Sequence, residues 1–176
     1  MHIEIHPARI EDCDTVADLI HGLAAYEKLS ESCHATGEKI RASLFCDKPV
    51  AHCILAWEVK DAGDAAEIPT RRPVAFALYF FNYSTFEARK GLYLEDLFVV
   101  HDARGKGVGT QMIRTLADIA RDEDCARFEW VVLDWNTSAQ AFYKKLGADI
   151  LTNWWLCRVS GEGIAACAGK SADEES

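Results

Sequence analysis

The sequence has no apolar run of membrane-spanning length, no internal repeat, and no Pro/Gly/Ser-rich stretch dividing two hydrophobic segments. Those absences argue against a spanning helix, a solenoid and a two-domain chain. Positive charge is also in deficit: 19 Lys plus Arg stand against 28 Asp plus Glu, a net charge of −9. An acidic excess repels phosphate backbones and anionic lipid, so neither a nucleic acid nor a membrane is the expected partner, whereas small cations suit it. Part of that excess, Asp173-Glu174-Glu175, reads as a solvated tail rather than a substrate funnel. The seven cysteines are odd in number and lack paired ligand spacing, which predicts neither a disulfide framework nor a metal site. In Cys33-His34 and His52-Cys53 the neighbours would face opposite ways on a strand, and both cysteines read as small packing residues. The stretch Met1-His-Ile-Glu-Ile5 enters an alternating strand with no basic segment and no apolar export core, so the expected compartment is the reducing cytoplasm.

What is present is apolar residue in quantity and in pattern. At 176 residues and 49% hydrophobic content the chain can bury one core, with a single domain expected over 1–160 and a tail over 161–176. Ile3 and Ile5 mark a first strand, and Val16, Leu19, Ile20 and Leu23 form the stripe of a first helix. Thr36 to Phe45 reads as a short helix with Thr36 as its N-cap. His52 to Val59 and Val74 to Phe81 are rich in β-branched and aromatic residues, with the polar stretch Lys60 to Pro73 as a hairpin loop. Trp154 to Val159 predicts a last strand, and Gly161 to Ser176 a helix turn or frayed tail. The class is mixed α/β.

The most informative segment runs from Leu92. Leu92 to Val100 reads as a strand, Arg104-Gly-Lys-Gly-Val-Gly109 as a glycine-rich turn, and Val108, Met112, Leu116 and Ala120 as a helical stripe widened by Ile113 and Ile119. Glycines at alternate positions let successive N–H groups point one way, and the helix dipole adds partial positive charge, so the turn suits a phosphate. The spacing is not Walker A, because Lys106 lies between glycines rather than before Thr110. Nor is it the dinucleotide fingerprint, since Gly109 comes one position early. A glycine triplet alone fits an ordinary tight turn equally well, so the downstream residues decide.

Phe128 to Asn136 reads as another buried strand, and Thr137 to Leu146 as a helix closed by Gly147 at C′. Arg104-x-x-Gly107-x-Gly109, followed by Asn136-x-x-Ala139-x-x-Phe142-Tyr143-x-x-x-Gly147, resembles the coenzyme A loop and following segment of the GNAT acyltransferase superfamily. Within it, Leu23-Ala-Ala-Tyr-Glu27, Tyr83-Ser-Thr-Phe86, Tyr93-Leu-Glu-Asp96, Val132-Leu-Asp-Trp-Asn136 and Phe142-Tyr-Lys-Lys145 are similar to the diamine acetyltransferase group, thialysine acetyltransferases included. The likeness spans about Ile3 to Val159. It implies a central, mixed, mostly antiparallel twisted sheet flanked by helices, acetyl-CoA as donor, a small amine as acceptor, and a homodimer.

The resemblance also implies roles. Acyl transfer to an amine needs a neutral amine, a stabilised oxyanion and a proton for the leaving thiolate. With a reference pKa near 10.4, only about one alkylamine in 10³ is neutral at pH 7, so a carboxylate must help. Glu95 occupies the family position that binds or deprotonates the amine, and strand alternation turns its neighbour Asp96 to the other face. Tyr143 is the implied general acid, because a phenol stays protonated at neutral pH. Leu97, Phe98 and Val99, Arg104 to Thr110 (Arg104, Gly105, Lys106, Gly107, Val108, Gly109 and Thr110), Asn136 and Ala139 are the implied cofactor contacts, with the Leu97 or Val99 amide as oxyanion donor. Tyr26, Glu27, Glu95 and Asp134 are the implied acceptor contacts, an aromatic beside a carboxylate being suited to an ammonium. After Gly147-Ala148 only Asp149 follows where polyamine enzymes carry more acid, which favours a small diamine or lysine-like ω-amine over a long polyamine. Two other classes remain open: a protein acetyltransferase acting on a lysine tail or terminus, and an acyl-CoA-binding module without catalysis.

Overall fold

A computed structural model describes residues 2–60 and 70–169. The chain divides into two compact units, Met1–Val131 and Val132–Ser176.

The first unit is built on a five-stranded sheet in chain order, β1 (His2–Pro7), β2 (His52–Lys60), β3 (Thr70–Ser84), β4 (Arg89–Val99) and β5 (Phe128–Trp130). The first four strands pair antiparallel and β5 runs parallel to β4. A parallel pair cannot be joined by a tight turn, and helix α3 (Val108–Asp122) makes that crossover. The sheet is mixed and mostly antiparallel, as the sequence predicts.

Both faces of the sheet are covered, which is why β2 buries consecutive residues instead of alternating. On one face, α1 (Cys13–Tyr26) and α2 (Gly37–Leu44) pack Cys13, Val16, Leu19, Ile40 and Leu44 against Cys53, Leu55, Phe76 and Phe98. Thr36 caps α2, its hydroxyl accepting from the Lys39 amide at 3.3 Å. On the other face lies α3, whose expected stripe Val108, Met112, Leu116 and Ala120 is buried together with Ile113. Removing a buried leucine of this kind costs about 2–5 kcal/mol, so α3 holds its start, the glycine turn, firmly in place.

The polar stretch expected as a loop contributes Thr70–Pro73 to β3, with Lys60 paired to Thr70; residues 61–69 of that loop lie outside the described residues. Pro73 is tolerated because the register shifts at Trp57 and β4 pairing begins only at Ala75. Two strand expectations are corrected. The strand from Phe128 ends at Trp130, not Asn136, because its pairing with β4 covers only Leu92 to Leu94. Trp154 to Val159 forms no strand; strand propensity reports fit to a pleated surface, and no strand is present among the described residues of this second unit to offer an edge.

The second unit holds α4 (Thr137–Lys145) and α5 (Glu162–Cys167). Asn136 caps α4 by accepting from the Ala139 amide at 3.2 Å. Gly147 (φ +90°) ends it, with Gly147 N–H bonding Lys144 O at 3.1 Å and Ala148 N–H bonding Tyr143 O at 3.1 Å, the paired bonds of a Schellman stop. The expected tail contains α5, and residues 170–176 lie outside the described residues.

Candidate active site

The site begins with an irregularity in β4. Leu78 pairs with Asp96 and Tyr79 with Leu94, leaving Glu95 as an extra residue. A bulge of one residue resets the alternation that follows it. Before it, Tyr93 stacks on Phe80 on the α1 side (5.0 Å) while Leu92 and Leu94 are fully buried on the opposite side. After it, Phe98 lies in the α1 cluster, and Asp96, two residues earlier, shares that face. Glu95 itself is exposed.

Asp96 therefore lines a pocket of about 190 Å³ with Ile20, Leu23, Ala24 and Glu27 from α1 and its end. Gly22 permits the close approach of α1, since a Cβ there would meet the Phe98 ring at 2.9 Å. Burial, then the charges of Glu95 and Glu27, push the Asp96 carboxyl up to about 6. Burial raises Glu27 as well. Two carboxylates on an otherwise apolar wall are destabilised as anions, and a cation entering between them relieves that cost. Sequence alternation did not find Asp96, because nothing in Leu94-Glu95-Asp96 marks a bulge.

Beyond β4 the chain forms a 3₁₀ turn, His101–Ala103, and then the glycine loop. The turn is tied down: Arg72 donates to Asp102 (2.8 Å) and to the buried Glu58 (3.2 Å), and Ala103 is buried. Gly105 (φ +73°) and Gly107 (φ +83°) take left-handed conformations, and Gly107 is the residue that starts α3. Glycine offers no capping side chain, the first turn of α3 carries no acid, and the first helical bond is Gln111 N–H to Gly107 O at 3.0 Å. The amides of Val108, Gly109 and Thr110 thus open onto the loop beside Arg104 and Lys106, a donor set that fits a pyrophosphate.

A second set of amides lies on β4. Val100 N–H bonds Val74 O at 2.9 Å, and an antiparallel ladder alternates, so Phe98 and Asp96 turn their amides to β3 while Val99 and Leu97 turn theirs to the opposite edge. On that edge β5 pairing has already stopped at Leu94. Arg104 Nε–H donates to Val99 O at 2.9 Å, and its guanidinium stands 4.5 Å over the Tyr26 ring. The structure thus brings Tyr26, Glu27, Leu97 to Val99 and Arg104 to Thr110 into one region of the first unit.

Of the other expected residues, Glu95 stands exposed at the bulge of β4, and Asp134, Asn136, Ala139 and Tyr143 belong to the second unit. Asn136 Oδ1 also accepts from Ser138 Oγ (3.1 Å), and Gln140 Nε2 donates to the Asp134 carbonyl (2.8 Å), which fixes the approach to α4. The Asp134 side chain is exposed, and Tyr143 is half-buried with its ring 5.2 Å from Phe142. Among the described residues no helix is long and apolar enough to cross a membrane, and no cluster of three His, Cys, Asp or Glu side chains could hold a metal.

A mixed sheet whose strand leads through an uncapped glycine turn onto a helix, with an acidic pocket alongside, defines an acyl-group transferase. The model of the acetyltransferase (GNAT) family matches residues 23–148, and the chain belongs to that family. It is 39% identical to thialysine N-epsilon-acetyltransferase of Bos taurus, over 96% of this chain and 98% of that protein. It is 28% identical to L-ornithine N5-acetyltransferase of Arabidopsis thaliana, over 94% of this chain and 88% of the other. An integron cassette protein of V. cholerae superposes with a TM-score of 0.74 at 26% identity, covering 96% of this chain and 98% of its own. The chain is an acetyl-CoA-dependent acetyltransferase.

Proposed function

We propose that the chain transfers acetyl from acetyl-CoA to the terminal amine of a small diamine or lysine-like substrate by direct attack. The observation that carries this reading is the pocket in which Glu27 and Asp96 face an apolar wall of Ile20, Leu23 and Ala24. Such a pocket accepts a short aliphatic chain ending in an ammonium, and the relatives named for thialysine and L-ornithine act on that class.

Acetyl-CoA supplies an activated acyl group when bound. Arg104, Lys106 and the Val108 to Thr110 amides hold its phosphates, with Gly105 and Gly107 keeping the loop open and Asn136 and Ala139 as further contacts. The amides of Leu97 and Val99 stabilise the carbonyl oxygen as it turns anionic. Asp96 and Glu27, with Tyr26, hold the distal cation, while Glu95, at the exposed bulge, takes the proton of the attacking amine directly or through water. Asp134 is a further acceptor contact, and Tyr143 gives its proton to the leaving thiolate.

We further read 1–160 as one acetyltransferase domain, since the family match runs across both compact units. The seven free cysteines support a reducing cytoplasmic setting, and the family resemblance supports a homodimer, which light scattering tests. The decisive experiment on function is a thiol-release screen of amines with acetyl-CoA. Diamines and lysine analogues should rank above monoamines, aromatic amines and spermine. A chain that acetylates only a basic peptide or a protein terminus overturns the acceptor assignment.

A further inference from the structure

Arg104 does more than a phosphate contact requires. It is the first residue of the glycine loop, yet its Nε–H donates to Val99 O at 2.9 Å, at the end of β4. Its guanidinium carbon lies 4.5 Å from the ring centre of Tyr26, the last residue of α1, and 5.6 Å from that of Phe98. One side chain thus touches both elements that carry the acceptor pocket: α1, which leads into Glu27, and β4, on which Asp96 lies three residues before Val99. A phosphate asks only for positive charge. Bonding a carbonyl edge-on while stacking on an aromatic face asks for a planar, delocalised cation. The exposed C-terminal turn of α1, carrying partial negative charge, also favours a cation there.

We propose that Arg104 is a positioning residue for the acceptor: it ties the donor loop to Tyr26 and to the Val99 end of β4, so that filling one half of the site orders the other. This rests on the reading of the loop as the donor site and of the Glu27–Asp96 pocket as the acceptor site. In that arrangement a donor phosphate draws on the remaining N–H edge of the guanidinium while the stacked face keeps Tyr26 in place. The consequence is reciprocal: coenzyme A tightens diamine binding, and a diamine tightens coenzyme A by the same factor.

Arg104→Lys separates the two roles, because it keeps the charge and loses both the flat face and the Nε–H. Calorimetry with coenzyme A and 1,4-diaminobutane, each alone and in the presence of the other, gives the coupling directly. Arg104→Lys should bind coenzyme A within about threefold of the parent, while the coupling factor falls towards one and the diamine KM rises about tenfold. Tyr26→Leu should reproduce the KM change, and the double variant should add little to either single one. Thermal unfolding of each variant checks that the fold is kept. Weakened coenzyme A binding with parental diamine Kd and KM would make Arg104 a phosphate ligand only and overturn the proposal, as would full additivity of the two substitutions. A parent chain that binds coenzyme A but no diamine overturns the acceptor reading and this proposal together, and is recognised before any variant is made.

Discussion

The two ends of one short stretch, Asp96 and Gly107, handle charge in opposite ways. Around Asp96 the site is acidic and buried, and it works through perturbed side chains: a carboxyl pushed up to about 6 and a raised Glu27 on an apolar wall. Around Gly107 it is basic and exposed, and it works through backbone shape: two left-handed glycines and a helix start with no capping side chain. A cationic acceptor is small and can be enclosed, so desolvation of its counter-charges provides selectivity. A pyrophosphate is large, strongly hydrated and doubly charged, so many fixed N–H donors serve better than one buried ion.

The largest expected effect lies outside both halves and tests whether they are separable from proton delivery. Tyr143→Phe keeps the ring and removes the acid, so kcat should fall about 10²–10⁴-fold while the affinities for coenzyme A and diamine stay near parental. Turnover close to the parent would return Tyr143 to a packing role beside Phe142.

Next comes the backbone half. Gly107→Val forces a β-branched residue to φ +83°, where nothing crowds a Cβ but the conformation itself is strained. Acetyl-CoA affinity should drop about tenfold to hundredfold, and stability by about 1–3 kcal/mol. Diamine binding in the absence of coenzyme A should not change. A parallel loss there would show that the two halves are one rigid body.

The side-chain half is broken by Asp96→Asn. At pH 8 the diamine kcat/KM should fall about tenfold or more from the loss of one charge-assisted contact, with coenzyme A affinity unaltered. The pH profile distinguishes it from Glu95→Gln. The Asp96 contribution should vanish below about pH 6, where the carboxyl is protonated, whereas the Glu95→Gln defect should be largest near neutral pH and shrink at high pH as free amine becomes abundant. Interchanged profiles would reassign the two carboxylates.

The smallest effect concerns stability. Because the folded-state value of Asp96 is raised, the native protein holds that proton more tightly than the unfolded chain does. Its penalty is therefore absent below about pH 4, where both states are protonated, and grows as pH rises through about 6. Asp96→Asn should raise stability by about 1–3 kcal/mol at pH 8 and leave it unchanged near pH 4, as read from urea midpoints. A variant less stable at pH 8 would mean that Asp96 has a structural partner in the empty pocket.

The basic half was legible in the sequence and the acidic half only at Glu27, for a physical reason. The glycine turn, the α3 stripe, the Thr36 cap and the Gly147 stop are decided by residues within a few positions of one another, and each appears where the pattern puts it. Asp96 and the early end of β5 depend on how β4 pairs with two neighbours, and pairing is a property of three segments at once. Strict alternation would send Asp96 to the face of Leu94, and only the register against Tyr79 and Leu78 reveals otherwise. Trp154 to Val159 departs from its strand expectation for the same reason, since an apolar run states a propensity and not a neighbour.

The bulge at Glu95 also constrains how this gene can vary. A substitution at that position alters the chemistry offered to the amine but leaves the register of β4 unchanged. Deleting the residue would leave the pairs Tyr79–Leu94 and Leu78–Asp96 in place, whereas keeping it and closing the bulge, so that Glu95 pairs with Leu78, would carry Asp96 onto the α3 face with Met112 and Leu116 and move Phe98 out of the α1 cluster. A carboxylate would enter one core as an aromatic ring left the other. The placement of Asp96 and Phe98 thus depends on the register of β4 against β3 and not on the chemistry of the side chain at the bulge, which is left free to serve the amine.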